Sequence, residues 1–139
     1  INCKERNLSN IFPSVLDLVN PSPASGWMLS ERASFLDRQA PDLVMALALI
    51  HHLAIANNIP LSSLAHFFSR VSKKLIIEFV PKTDPNVQLL LRNREDIFSQ
   101  YDENSFVDEF GKYFKILFSQ KNSGSERVLY FMENNNTIS

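Results

Sequence analysis

The chain has 139 residues, 45% of them hydrophobic and 21% charged, and 14 Lys and Arg against 15 Asp and Glu give a formal net charge of -1. That is enough apolar material for one globular domain with its own core, and the balanced charge excludes a global field that would draw it to nucleic acid or an anionic membrane. The longest apolar run, Leu43 to Ile50, falls far short of the ~20 residues needed to cross a bilayer, and a single cysteine, Cys3, rules out an internal disulfide or a thiolate metal cluster.

Cytoplasmic residence is the expectation. Ile1 is not an initiator methionine and Ile1-Asn2-Cys3-Lys4-Glu5-Arg6 reads as the inside of an amphipathic helix, so a fragment is expected. Ile11-Phe12-Pro13-Ser14-Val15-Leu16-Asp17-Leu18 predicts a strand near Val15–Leu16, followed by a loop through Pro21 and Pro23. Ser30 or Glu31 opens a short helix to about Arg38. Pro41 then leads into the unbroken apolar run Leu43 to Ile50, which ends at His51 and His52. A parallel strand is covered on both faces and so reads as continuous apolar. Ligands in open α/β sheets sit beyond the carboxyl ends of such strands. Strand, helix, strand in that span is the crossover unit of a parallel sheet.

Leu53 to Asn58 predicts a helical turn closed by its asparagines. Leu61, Leu64, Ala65, Phe68 and Val71 recur at helical spacing, and Leu75 to Val80 reads as the next buried strand, with Glu78 near its end. Val87, Leu90 and Leu91 form a short helical face, and Phe106, Val107, Phe110 and Phe114 a second helix with Asp102 as N-cap. Tyr113–Ser119 and Arg127–Met132 are separated by too few residues for a crossover helix, so they predict an antiparallel hairpin. The polar end of the chain is expected to fray.

Parallel strands closed by a reversed hairpin favour the class I S-adenosyl-L-methionine-dependent methyltransferases over the dehydrogenase type of Rossmann sheet. Asp17-Leu18-Val19-Asn20-Pro21-Ser22-Pro23, Gly26-Trp27, Glu31-Arg32, Asp42 through Leu53, Ile77-Glu78-Phe79-Val80-Pro81-Lys82, Arg94 to Phe98 and Gly124 to Tyr130 together resemble the bacterial methyltransferases related to a nodulation protein. The resemblance spans nearly the whole chain. It implies an α/β fold: the C-terminal part of a Rossmann-like methyltransferase sheet, with helices on both faces. Residues 1–133 would form the partial domain, lacking the glycine-rich first strand, and residues 134–139 a frayed tail.

The same resemblance places Asp17 and Leu18 against the adenine of S-adenosyl-L-methionine. Ala48 and Leu49 would lie beneath its methionine part, and His51 and His52 where the methyl acceptor is handled. Histidine suits removal of a proton from a hydroxyl or amine acceptor, and Glu78 is a further candidate for that work. Glu78 paired with Lys82 or Arg127 is the competing reading, as are a helix-capping and a packing role for the two histidines. A metal site from His51, His52 and His66 has no recognised ligand spacing, so no metal is expected. The expected substrate is a small or medium-sized methyl acceptor, handled by a full-length enzyme of which this chain would be an inactive part. A non-catalytic association module is the alternative. Loss of the first strand would expose an apolar edge, predicting a homo-oligomer or pairing with the missing N-terminal part.

Overall fold

A computed structural model describes residues 10–136. The chain divides into two compact units, Ile1–Arg38 and Gln39–Ser139. In the first, 3-10 turns at Trp27–Leu29 and Phe35–Asp37 are the helical elements among the described residues, and an isolated bridge between Ser25 and Arg32 flanks the first of them. The strand expected near Val15–Leu16 does not form: residues 11–17 have no regular structure and Val15 is fully exposed. A β segment needs a partner ladder, and Pro13, Pro21 and Pro23 remove donors on either side of it. The helix expected from Ser30 to Arg38 shrinks to the second 3-10 turn, capped by the Ser34 hydroxyl accepting from the Asp37 amide at 3.2 Å. Trp27 is exposed.

The second unit is an open four-stranded mixed sheet. Its strands are β1 (Leu43–Ala46), β2 (Lys74–Phe79), β3 (Phe114–Lys121) and β4 (Val128–Asn134), in the order β1-β2-β4-β3. β1 and β2 run parallel, and the β3–β4 hairpin inserts β4 antiparallel to β2. The crossover expected from a strand near Val15 is absent among the described residues, and the parallel crossover found joins β1 to β2. It runs through a π-helical turn (His52–Ala56) and helix α1 (Leu61–Val71). Helices α2 (Pro85–Leu91) and α3 (Glu103–Gly111) follow β2.

The core lies on one face of this sheet. Leu75, Ile77 and Phe79 alternate inward from β2, and their register partners Met132, Tyr130 and Val128 point the same way from β4. α3 lays Phe106 against Phe79 and Tyr130, with ring centroids 5.2 Å apart in both pairs, and Phe110 against Phe114. α1 packs beside it through Phe68. Phe106, Phe110 and Phe114 are all buried. Phe118 is 56% exposed, because a register shift between Ile116 and Phe118 turns it to the other face.

On that opposite face no helix lies over Met45, 60% exposed, or over Phe118 among the described residues, so the second helical layer is not seen there. Among the described residues β1 is an edge strand of this sheet. At the other end, β4 extends through Asn134, whose side chain donates to the Ser69 and Ser72 carbonyls at 2.8 and 3.0 Å. Residues 137–139 of the expected tail lie outside the described residues. No helix among the described residues is long and apolar enough to cross a membrane.

Candidate functional site

The apolar run that opens the unit is a strand only as far as Ala46. After Leu47 the backbone enters the left-handed region at Ala48, φ 49°, which costs a residue with a Cβ roughly 1–2 kcal/mol. One side chain pins this bend: the Ala48 amide donates to Glu78 Oε2 at 2.8 Å. The chain then turns helical, with the Leu49 carbonyl accepting from His52 and Leu53. The π-helical turn is closed by Asn57, whose backbone amide and side chain both donate to the His52 carbonyl. Single π turns recur at functional positions because they reposition one side chain within a helical frame.

The bend sends the two histidines to different environments. His51 is 1% exposed, and neither ring nitrogen has a hydrogen-bond partner. Burial, then the neighbouring His52 and Arg127 charges, lowers its pKa to about 4, so it is neutral at physiological pH. His52 is exposed, with its ring centroid 4.2 Å from that of His51.

Beside them, Glu78, Asp84 and Arg127 form a partly buried charge network. Glu78 Oε1 accepts from Asn122 Nδ2 at 2.9 Å, and its Oε2 lies 3.6 Å from the Arg127 guanidinium. Arg127 also donates from Nε and Nη2 to both oxygens of Asp84 at 2.7 and 3.2 Å, a fork geometry that holds the Asp84 carboxyl below its ordinary range. Asp84 in turn caps α2 by accepting from the Asn86 amide at 2.9 Å.

The network ties the hairpin, the loop after β2 and the bend after β1 together at the carboxyl ends of the parallel pair. Of the two partners expected for Glu78, Arg127 is the one found, while Lys82 pairs with Asp96 at 2.9 Å. Asp84 was missed in the sequence, although Asp84-Pro85 carries the signature of an N-cap followed by proline at the first helical position.

The structure thus brings Ala48, Leu49, His51, His52 and Glu78 to one end of the sheet. Asp17 and Leu18 belong to the first unit, where Asp17 Oδ1 accepts from the Val19 amide at 3.0 Å. His66 sits against Tyr113, and no group of three His, Cys, Asp or Glu among the described residues is arranged to hold a metal. A separate groove of about 480 Å³ lies between the start of α1 and the segment before α3, lined by Leu61, Phe98, Tyr101 and Asp108 among others. None of the expected site residues lines it.

Fold and site define the class: an open mixed α/β sheet with a buried histidine and a charge network at the carboxyl end of its parallel pair. The chain is 44% identical over 124 residues to the nodulation protein NoeA of Rhizobium meliloti (strain 1021), across 89% of this chain and 26% of that protein. It therefore spans about a quarter of the length of that relative. The expected kinship with a nodulation protein is supported by this similarity. No protein-family model matches the chain, and no solved structure matches it.

Proposed function

We propose that this chain is the C-terminal part of a class I S-adenosyl-L-methionine-dependent methyltransferase domain, and that it supplies the acceptor side of the crevice. The observation that carries the reading is the strand order β1-β2-β4-β3, a parallel pair closed by a hairpin whose reversed last strand lies inside the sheet. S-adenosyl-L-methionine brings a methyl group already activated on a sulfonium, so the protein's work is alignment, exclusion of water and handling of the acceptor's proton.

For that proton the proposal assigns His52, the exposed one of the pair. A general base works best with a pKa near the operating pH, and His51, held near 4 and enclosed, is a poor one. His51 lies against His52, the two rings tilted by 39° with centroids 4.2 Å apart, and is the positioning residue. Glu78 is engaged by Ala48, Asn122 and Arg127 and shapes the bend rather than moving protons. Asp17 and Leu18 as adenine contacts, and Ala48 and Leu49 beneath the methionine part, are assignments of this proposal.

On this proposal the described residues would supply only part of a cofactor site. Of the three glycines, Gly26, at φ 90°, is closed in by Glu31, and Gly111 and Gly124 face open space, so none forms a backbone cradle at the end of β1. A second reading is a non-catalytic module that associates through its open sheet, which leaves Met45 and Phe118 exposed. Titration calorimetry with S-adenosylhomocysteine separates the two when this chain follows a glycine-rich strand–helix segment in one polypeptide. Saturable binding supports the enzyme; its absence in a folded protein removes it.

A further inference from the structure

The face of the sheet opposite α1 and α3 carries a continuous apolar row. Met45 on β1 is in register with Ile76 on β2, Ile76 with Phe131 on β4, and Phe131 with Phe118 on β3. Met45 and Phe118, at the two ends, are exposed, and Ile76 and Phe131 are half-buried between them. Three interstrand steps make this row about 14 Å wide. A second row lies on the same face, two residues away along β1, β2 and β4 and three along β3 because of its register shift: Leu43, Lys74, Glu133 and Lys115.

We propose that this face is the interface of a two-fold dimer between copies of the chain. The register itself supplies the argument. A dyad parallel to the strands and passing between β2 and β4 lays β1 over the partner copy's β3 and β2 over its β4. In that arrangement Met45 faces Phe118 of the other copy, and Ile76 faces Phe131. Lys74 faces Glu133, and Leu43 lies along the aliphatic stem of Lys115.

Within these two rows every apolar group meets an apolar surface, and the two central charges meet their opposites. Self-complementarity of this kind is what an isologous contact requires. Facing sheets pack about 10 Å apart with interdigitating side chains. Lys74 and Glu133 already approach to 4.0 Å within one copy, so the dimer closes a ring of two lysines and two glutamates. The patch is small for a permanent dimer, which sets the expected dissociation constant on the order of micromolar.

Sedimentation velocity of the whole chain over a wide concentration range tests this, with circular dichroism to establish that each variant is folded. Because Met45 and Phe118 are exposed, Met45→Glu and Phe118→Glu leave the fold intact and each weakens association at least about tenfold. Lys74→Glu alone and Glu133→Lys alone weaken it too, and the combined exchange restores it. In a Cys3→Ser background, Met45→Cys together with Phe118→Cys gives a dimer linked by a short bis-maleimide. Neither single variant does so, because each residue lies far from its own counterpart across the dyad.

A chain that stays monomeric at all concentrations overturns the proposal. So does association that ignores Phe118→Glu, the behaviour of pairing at the β1 edge, or a charge exchange that fails to recover association.

Discussion

His51 is the residue on which the site's chemistry and its stability meet. A histidine enclosed with both nitrogens unpaired resists protonation, so its folded pKa lies near 4 against an ordinary 6.5. Between those values the unfolded chain takes up a proton that the folded chain refuses. Stability is therefore full above about pH 6.5 and falls as the pH is lowered toward 4, by about 3 kcal/mol from this residue. Urea titrations across that range should show the fall, and His51→Leu should flatten it while raising stability at pH 5; an unchanged slope in the variant contradicts the assignment.

Asp84 is the opposite case. Its removal leaves Arg127 without its fork partner and α2 without its cap, so Asp84→Ala should cost about 2 kcal/mol in chemical denaturation. A loss within about 0.5 kcal/mol would mean that the network contributes nothing beyond a surface pair.

Elements differed in how openly the sequence announced them, and the difference follows from where each finds its partners. α1 carries an apolar stripe, Leu61, Leu64, Ala65, Phe68 and Val71, that specifies a helix and its buried face together. α3 adds a cap, the Asp102 carboxylate accepting from the Ser105 amide at 2.8 Å. The short Asn-Ser-Gly-Ser connection forced an antiparallel hairpin.

The segment around Val15 has a strand's composition but no neighbour to pair with, and composition cannot reveal that. Nor could the run Leu43 to Ile50 show where strand gives way to turn, because the bend at Ala48 is imposed by Glu78, thirty residues downstream. The candidate site was legible in its histidines, which the sequence displays at the end of an apolar run. It was not legible in the Asp84–Arg127 fork, which only folding assembles. If the bend is strained as described, Ala48→Gly should stabilise the protein by about 0.5 kcal/mol and Ala48→Val should destabilise it by about 2 kcal/mol. Equal melting of all three forms would show that no strain resides there.

At the scale of the molecule the two units are built on different principles. Gln39–Ser139 has a hydrophobic core against a four-stranded sheet, whereas the first unit is tied by two 3-10 turns and one bridge among its described residues. Hydrogen exchange should therefore give the slowest amides in β2 and β4 and near-intrinsic rates over residues 11–20. Comparable protection in both regions would contradict this division.

The chain matches about a quarter of the length of a longer nodulation protein, and the proposed methyltransferase reading makes it one part of a larger crevice. The decisive measurement is S-adenosylhomocysteine binding by a polypeptide in which this chain follows a glycine-rich strand–helix segment, compared with its Leu49→Glu variant. The account predicts saturable binding that the folded variant loses. Absence of binding in the parent, or equal binding in the variant, contradicts it.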